Sequence, residues 1–392
     1  MTPKRAWVVL FAQGALSAQA PAPFAEAWKD AAALFRAECA RGKVVGAGLA
    51  FVQRDQILAH ESFGSADLGS GRAVDADTNW HWASCTKTFT GIAVMQLRDR
   101  GKLALDEAIV DSLPELRAVH NPFGPMRAIT LTHLLSHSAG FRGATWPWDD
   151  ADNKPWHPHE PTQWSQLVAM MPYTEIEFAP GSRFSYSNPG IVFLGQVIQQ
   201  RTGEDYEVYM EKNVLRPLGM RASYFDHAPY HLSKHRSNNY ALRNGVPQPG
   251  GLDFDTGITV SNGGLNAPIP DMARYLTFLL GACAKDSDAA AVLSRASLEE
   301  MWKVAQTIGG KAAEDAGGQR DGMGLTFFVT ERKAGRFVGH TGGQKSFVTF
   351  FYVHPATSTA ALGAFNTDTA GTVMARVRNH LMDVVTPLFA TR

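Results

Sequence analysis

Hydrophobic residues recur with different periods in three successive parts of this 392-residue chain. The first part opens with apolar residues at helical spacing and predicts an amphipathic helix carrying Phe24, Trp28, Ala31, Phe35 and Cys39 on one face. Two apolar-rich runs follow, at 44–52 and 57–63, and predict strands. The chain therefore begins with a helix followed by part of a sheet.

The middle part, from Ser84 to about Leu218, has a mostly helical pattern with turn-rich connections and no long alternating strand. After Gly250 the pattern favours strands again, at 325–330, 337–340, 347–353 and 360–365. A closing helix, limited by Pro387, is predicted from apolar residues on one face: Val373, Val377, Leu381, Val384 and Leu388.

Composition excludes several classes of protein. Hydrophobic residues make up 45% of the chain and aromatic residues 10%, which is enough for a large core. The 37 basic residues balance 37 acidic ones, so the chain has no general attraction to nucleic acid or to anionic membranes. Three cysteines, Cys39, Cys85 and Cys283, cannot form a disulfide framework, and the fold must rest on packing.

Residues 1–20 carry some features of a secretory signal. A basic start and an apolar stretch at 6–12 precede Ala18-Gln19-Ala20, which would suit a cleavage site. Gln13 interrupts the apolar character, so the sequence leaves open whether the protein is exported or cytoplasmic. No later stretch approaches the length of a membrane span.

Ser84-Cys85-Thr86-Lys87 is the only Ser-x-x-Lys in the chain, and it opens the helical run at 88–97. Residues three apart share a helix face, so the Lys87 ammonium can reach the Ser84 hydroxyl. The free N–H groups of the first helical turn would face a developing oxyanion. Because such a motif occurs about once by chance in a chain of this length, it indicates an activated nucleophile only together with other motifs.

Two companion motifs follow, and each is unique in the chain. Tyr186-Ser187-Asn188 is the only Tyr-x-Asn and lies between a turn at 179–185 and a predicted helix at 191–198. His340-Thr341-Gly342-Gly343 is the only Lys/His-Thr-Gly, and we expect it to end a short strand at 336–339. Three unique motifs in this order make coincidence improbable.

The three motifs resemble those of the serine β-lactamase-like and penicillin-binding-protein-like hydrolases, specifically the class C-like branch with its family VIII-type esterases and D-peptidases. The resemblance covers about residues 24–388. It extends to Leu134-Leu135-Ser136-His137-Ser138-Ala139-Gly140, Pro180-Gly181, Ser261-Asn262-Gly263-Gly264-Leu265, Asp271-Met272-Ala273-Arg274 and Asn366. Class A enzymes have companion motifs that differ from Tyr186-Ser187-Asn188.

Periodicity and resemblance together predict an α/β (α+β) fold of the β-lactamase/transpeptidase type. Residues 21–78 and 250–392 would build one antiparallel sheet flanked by the terminal helices. Residues 79–249 would form an inserted, mainly helical domain. The active-site cleft would lie between these two parts.

The resemblance also implies roles for individual residues. Ser84 would be the nucleophile that forms an acyl-enzyme. Lys87 would either keep its charge and help Tyr186 to act as the base or, if desolvated, accept the proton itself, and the sequence leaves this choice open. Asn188 would bind substrate and help to hold Lys87, while His340 would line the opposite wall.

The oxyanion hole implied by the resemblance consists of the backbone N–H groups of Ser84 and Gly343. Cys85 adjoins the nucleophile, but helix neighbours point about 100° apart, so packing is the expected role of its thiol. His340 stands where typical class C β-lactamases carry lysine. Because imidazole is a weaker anchor for a substrate carboxylate, this difference disfavours β-lactam hydrolysis.

A tryptophan-rich and proline-rich segment follows Arg142 and contains Trp146, Trp148, Trp156 and Trp164. Trp146 and Trp148 would bind an apolar acyl or alcohol group if the segment overhangs the cleft. The alternative is a loop pinned by its own aromatic residues. His157-Pro158-His159-Glu160 lacks the usual spacing of metal ligands, and no metal or cofactor is expected.

We therefore expect a serine hydrolase, with a carboxylesterase acting on short or medium acyl esters as the main interpretation. The alternatives are a D-amino-acid peptidase or amidase, a β-lactamase and an acyltransferase. A non-catalytic penicillin-recognising sensor is more remote, since such a protein needs neither Lys87 nor Tyr186. The expected partner is a small ester or amide, and the sequence leaves the oligomeric state open.

Overall fold

The computed structural model describes residues 21–143, 161–252, 255–309 and 321–390, with the backbone alone at 314–315 and 318–319. Trp146, Trp148, Trp156 and residues 157–160 lie outside the described residues. In the described part of the chain the α-helices are α1 (Phe24–Arg41), α2 (Thr86–Asp99), α3 (Ile109–Ser112), α4 (Leu131–Leu135), α5 (Trp164–Met170), α6 (Asn188–Thr202), α7 (Tyr206–Met210), α8 (Arg216–Leu218), α9 (Val260–Gly263), α10 (Ile269–Leu279), α11 (Arg295–Met301) and α12 (Gly371–His380).

The strands fall into one large sheet and three small ones. Across the same described ranges they are β1 (Gly46–Gln53), β2 (Gln56–Asp67), β3 (Arg72–Ala73), β4 (Asn79–His81), β5 (Tyr224–Phe225), β6 (Tyr240–Arg243), β7 (Val246–Pro249), β8 (Leu265–Pro268), β9 (Gln306–Thr307), β10 (Glu314–Asp315), β11 (Gly318–Gln319), β12 (Gly322–Met323), β13 (Phe328–Arg332), β14 (Gly335–Gln344), β15 (Phe347–His354) and β16 (Thr359–Phe365).

Among the described residues, the large sheet has nine strands in the order β3-β2-β1-β16-β15-β14-β13-β12-β9, and every neighbouring pair is antiparallel. Strand β1 pairs with β16, so that Ala47 lies opposite Phe365 and Val52 lies opposite Ala360. The beginning and the end of the chain therefore meet in the middle of one sheet, as the sequence predicted.

Alternating side chains on the central strands serve two cores. Leu49 and Phe51 point to one face of the sheet, where α1 and α12 pack, and Ala50 and Val52 point to the other face. On that second face the core continues into α2, α6 and α10. The expected fold, an antiparallel sheet with terminal helices on one side and a mainly helical segment on the other, is confirmed.

The middle of the chain, from α2 to α10, is mainly helical but contributes the small sheet β4-β8-β5. This sheet brings the segment before Ser84 beside Leu265 and Asn266. The division into domains at 79 and 250 stays a prediction. Across the residues that the structure describes, no helix is both long and apolar enough to cross a membrane.

The closing helix differs from its sequence prediction towards its end, where the α-helix stops at His380 and Leu388 is only half-buried. Val373, Val377 and Leu381 are buried as expected, but Val384 is 46% exposed. A wider π-helical turn at Leu381–Val385 follows α12 and shifts the phase of the side chains. Val385 is consequently the residue that is fully buried, in place of Val384.

Candidate active site

Ser84 lies in a tight turn, Ala83–Cys85, immediately before α2. Ala83 has φ +48°, a left-handed conformation that is uncommon for a residue with a side chain. Hydrogen bonds hold the preceding residue on both sides. The Trp82 N–H donates to the Leu265 carbonyl at 2.8 Å, and the Trp82 carbonyl accepts from the Thr349 hydroxyl at 3.0 Å. Strands β8 and β15 thereby fix the turn that presents Ser84.

Strand β14 passes close to the same turn. A Cβ atom added to Gly342 would lie 2.3 Å from the Trp82 carbonyl oxygen and 3.2 Å from the Ala83 Cβ, so only glycine fits here. The following residue, Gly343, is exposed, and a Cβ there would meet no atom within 4 Å. Gly343 thus faces open space next to the Ser84 turn, and its role as an oxyanion donor stays a prediction.

Lys87 lies in the first turn of α2 and is fully buried. Its Nζ donates to the Ser84 Oγ at 3.0 Å and to the Asn262 carbonyl oxygen at 3.0 Å. Burial lowers the pKa of Lys87 to about 7, because the surrounding protein disfavours the ammonium form. At neutral pH a large fraction of the amine is therefore uncharged while it stays within hydrogen-bond distance of the serine.

Tyr186 lies beside Lys87, although the two residues are far apart in sequence. The Lys87 Nζ is 5.0 Å from the centroid of the Tyr186 ring. The ring stacks on the imidazole of His137 with centroids 4.4 Å apart, and it lies parallel to Phe328 at 6.2 Å. The structure therefore brings Ser84, Lys87 and Tyr186 together at one site.

Asn188 begins α6, where its N–H donates to the Gly143 carbonyl at 3.0 Å. The expectation that Asn188 helps to hold Lys87 is not met by a hydrogen bond among the described residues, where the Lys87 Nζ donates to the Ser84 Oγ and to the Asn262 carbonyl. Among the described residues the side-chain oxygen of Asn188 is buried without a hydrogen-bond partner. An unpaired acceptor of this kind is available to a substrate donor.

His340 lies in β14 and is 1% exposed. Its ring packs against Phe328 with centroids 4.8 Å apart and is 6.2 Å from the ring of Tyr186. The strand does not end at His340, as the sequence predicted, but continues to Gln344. The structure places His340 beside the candidate catalytic residues, and its contact with substrate stays a prediction.

Cys85 points away from the nucleophile. Its thiol lies 3.8 Å from the His340 carbonyl oxygen and 3.6 Å from the Thr349 hydroxyl, within the core. Burial raises the pKa of Cys85 to about 12, so the thiol is un-ionised near neutral pH. These contacts agree with a packing role.

The structure brings the three motifs together at one site, and a match to a family model shows which protein family the chain belongs to. A model of the β-lactamase family matches residues 31–384. This chain belongs to the β-lactamase family. The family match is consistent with a serine hydrolase.

Two curated relatives match the β-lactamase-family chain over about half of its length. Protein flp of Staphylococcus aureus (strain MW2) is 28% identical over 207 residues, which cover 53% of this chain and 40% of that protein. Esterase EstB of Burkholderia gladioli is 30% identical over 219 residues, which cover 53% of this chain and 55% of that protein. The matched region thus spans about half, or less, of the length of these relatives.

A solved structure extends the likeness to most of the fold. The octameric penicillin-binding protein homologue from Pyrococcus abyssi superposes with a TM-score of 0.76. The superposition covers 91% of this chain and 77% of that chain at 24% sequence identity. At this identity the likeness shows the β-lactamase-like fold alone.

Sequence reasoning assigned no role to two residues that this β-lactamase-family site uses. Asn262 holds Lys87 through its backbone carbonyl, and His137 stacks on Tyr186. Both belong to segments that carry the family resemblance. A backbone acceptor has no side-chain signature, and a histidine after a short helix is commonly structural. The two segments therefore indicated the family but did not indicate what Asn262 and His137 do.

The tryptophan-rich segment is described only at its end. Trp164 begins α5, packs edge-on against Phe193 at 6.0 Å and directs its indole N–H to Glu115 at 3.5 Å. For this tryptophan the contacts favour an anchored loop end. Trp146 and Trp148 lie outside the described residues, so their binding of substrate stays a prediction.

Proposed function

We propose that this serine hydrolase is a carboxylesterase that cleaves esters of short or medium acyl chains through an acyl-enzyme. The observation that carries the proposal is the buried Lys87 amine, 3.0 Å from the Ser84 hydroxyl and with its pKa lowered to about 7. Such an amine can take the proton that serine must lose to become a nucleophile.

The first half of the reaction forms the acyl-enzyme. The Ser84 Oγ attacks the ester carbonyl carbon, and its proton passes to the Lys87 Nζ. The carbonyl oxygen gains negative charge, which the N–H groups of Ser84 and Gly343 would stabilise. The tetrahedral intermediate collapses, the bond to the alkoxide breaks, and the alkoxide takes a proton through Lys87 and Tyr186 to leave as an alcohol.

The second half repeats these steps with water as the nucleophile. Water loses its proton to the same base, attacks the acyl carbon and releases the carboxylic acid, while Ser84 regains its proton. The short distance of 5.0 Å between the Lys87 amine and the Tyr186 ring centroid supports a share for Tyr186 in these transfers.

Two observations support an ester as the substrate. One relative over half of this chain, EstB, is named an esterase. His340 stands at the position where a lysine would anchor the carboxylate of a β-lactam, and it is 1% exposed. If His340 anchors a substrate carboxylate only weakly, binding gives little advantage to β-lactams. The preference for esters over amides then follows from the leaving group, because an alkoxide departs more easily than an amine.

A second candidate, cleavage of D-amino-acid amides or peptides, is favoured by Asn188. In the described part of the chain its side-chain oxygen is buried and has no hydrogen-bond partner. An amide N–H of a substrate would satisfy that acceptor, whereas a simple ester has no such donor to offer.

A substrate panel with variants at the nucleophile tests the proposal. We expect easily measured hydrolysis of p-nitrophenyl acetate or butyrate and weak or absent hydrolysis of a chromogenic cephalosporin. Ser84→Ala should abolish turnover and labelling by a fluorophosphonate probe. Cys85→Ala is the matched control and should keep both, because the thiol faces the core.

Two outcomes contradict the proposal. Normal turnover by Ser84→Ala would remove the mechanism. A kcat/KM for the cephalosporin or for a D-alanyl amide above that of every ester tested would replace the esterase with the corresponding alternative.

A further inference from the structure

The backbone N–H groups of the residues on both sides of Tyr186 are held by one residue, His137. The N–H of Ser185 donates to the His137 carbonyl oxygen at 2.8 Å, and the N–H of Ser187 donates to the His137 Nδ1 at 3.1 Å. The imidazole ring also stacks on the Tyr186 ring, with centroids 4.4 Å apart and 27° between the planes. The position of His137 therefore controls both the backbone and the ring of Tyr186.

His137 is itself held firmly. It follows α4, has φ +53° and is 1% exposed. Its neighbour Ser138 accepts from the Gly181 N–H at 2.7 Å and donates its own N–H to the His133 carbonyl at 2.8 Å. These bonds tie the segment after α4 to the segment that leads to Tyr186, so the orientation of His137 is transmitted to the tyrosine.

The imidazole can accept a hydrogen bond only while its Nδ1 carries a lone pair. Burial, together with the nearby charge of Lys87, lowers the pKa of His137 to about 3. The ring is therefore neutral at the pH values where a serine hydrolase works, and the bond from Ser187 persists.

We propose that His137 is a positioning residue of the reaction, which holds Tyr186 against Lys87 by accepting hydrogen bonds from the N–H groups of Ser185 and Ser187 and by stacking on its ring. The proposal rests on the proposed function, since it matters only if Tyr186 takes part in proton transfer. His137 acts through Tyr186 and does not need to touch the substrate.

Three substitutions separate the two contacts. His137→Asn keeps an acceptor near the position of Nδ1 and tolerates a positive φ, but it removes the ring. His137→Phe keeps a ring and removes the acceptor, which leaves the Ser187 N–H buried and unpaired. His137→Ala removes both contacts.

We expect His137→Ala to lower kcat for p-nitrophenyl butyrate by about a hundredfold, with KM changed by less than about threefold, because a displaced proton carrier slows chemistry more than binding. His137→Asn should recover at least about tenfold of that loss, and His137→Phe should recover less. His133→Ala is the matched control on α4, since it removes the 3.1 Å bond from the Thr130 N–H without touching Tyr186. It should lower Tm and leave kcat within about twofold.

Equal kcat values for the three His137 variants, or a kcat of His137→Ala within twofold of wild type, would overturn the proposal. If His137→Ala fails to fold, the kcat values of His137→Asn and His137→Phe are compared. A kcat about tenfold higher for His137→Asn supports the proposal, and equal kcat values overturn it. Fluorophosphonate labelling of Ser84 distinguishes a failure of the proposed function from a failure of the role proposed for His137. If the wild-type chain is not labelled, both the proposed function and the role of His137 are contradicted. If it is labelled normally and the His137 variants keep wild-type rates, only the role of His137 is contradicted.

Discussion

At the scale of single residues, the decisive feature is an amine that is present in both its charged and its neutral form near neutral pH. Lys87 is buried, and its Nζ has the Ser84 hydroxyl and the Asn262 carbonyl as hydrogen-bond partners. The carbonyl is polar but uncharged and does not compensate the loss of hydration, so burial lowers the pKa of Lys87 to about 7. A base of this strength suits catalysis at neutral pH.

The pH dependence of kcat/KM tests which form of Lys87 is active. If the neutral amine takes the proton of Ser84, kcat/KM for p-nitrophenyl butyrate should rise as pH increases through about 7, because the fraction of neutral Lys87 rises. If Lys87 serves only as a cation beside an ionised Tyr186, activity should instead decline above that pH. Rates measured from pH 5 to 9 distinguish the two, and a fall through pH 7 contradicts the lysine-base assignment.

A double-mutant cycle at Lys87 and Tyr186 accompanies that measurement. Lys87→Ala removes the base and Tyr186→Phe removes the phenolic oxygen, so each should lower kcat by about a hundredfold or more. Because both groups serve one proton transfer, the double variant should lose little more than either single one. Full additivity would indicate independent roles.

The sequence could predict Ser84, Lys87 and Tyr186 because side-chain chemistry leaves motifs of recognisable spacing. Their proximity in the structure agrees with that prediction, while their roles await the experiments above. The Asn262 carbonyl that accepts from Lys87 could not be predicted, because a backbone acceptor has no side-chain signature. His137 could not be assigned for a similar reason: two of its three contacts with the Tyr186 segment involve peptide groups.

At the scale of elements, the site depends on how closely β14 approaches the Ser84 turn. Sequence reasoning ended the strand at Gly339 or His340, and the Thr341-Gly342-Gly343 run that follows has little β preference of its own. Pairing with β15 overrides that preference, with Thr341 opposite Phe350 and Gly343 opposite Val348. The tertiary pairing thus extends the strand over the residues that flank the nucleophile.

Gly342→Ala tests this close approach. The new Cβ would lie 2.3 Å from the Trp82 carbonyl oxygen, and a backbone atom held by the Thr349 hydroxyl cannot move aside cheaply. We expect a loss of stability of about 1–3 kcal/mol or more and a lower kcat, since the turn carrying Ser84 must shift. Thermal unfolding and ester hydrolysis measure the two effects.

Gly343→Ala is the matched control for stability. A Cβ at this position meets no atom within 4 Å, so the free energy of unfolding should stay within about 0.5 kcal/mol of wild type. Similar losses of stability in both variants would mean that the approach of β14 to the turn is not the cause.

At the scale of the whole molecule, periodicity was enough to predict the terminal helices and the central strands, but not the small sheets that include β4, β5 and β8. It could not predict the order of strands in the sheet, because β1 and β16 come from opposite ends of the chain. The family resemblance supported only the expectation that the two ends of the chain share one antiparallel sheet. Val384 shows the limit of predicting buried positions from ideal α-helical spacing. A single π-helical turn leaves Val384 exposed and buries Val385.

The stability of the whole molecule should depend on the protonation of Asp226. This carboxyl group is 4% exposed, and it accepts a hydrogen bond from the Thr256 hydroxyl. Burial, with Glu207 and Asp255 nearby, raises the pKa of Asp226 to about 8 from its ordinary value near 4. Between these two values the folded chain binds a proton that the unfolded chain has released, so stability should fall as pH rises from about 4 to 8.

Asp226→Asn removes this titration while it keeps a side chain of the same shape that can accept from Thr256 and adopt the φ of +48° found here. The advantage of the variant over wild type should be smaller at pH 5, about one unit above the pKa of the unfolded carboxyl, than at pH 8. At pH 8 or above it should be more stable than wild type by at least about 1 kcal/mol, the equivalent of roughly one pKa unit. Denaturant titrations at the two pH values measure the difference. An advantage that is the same at pH 5 and pH 8, or one that reverses, would show that Asp226 does not carry the proton in the folded protein.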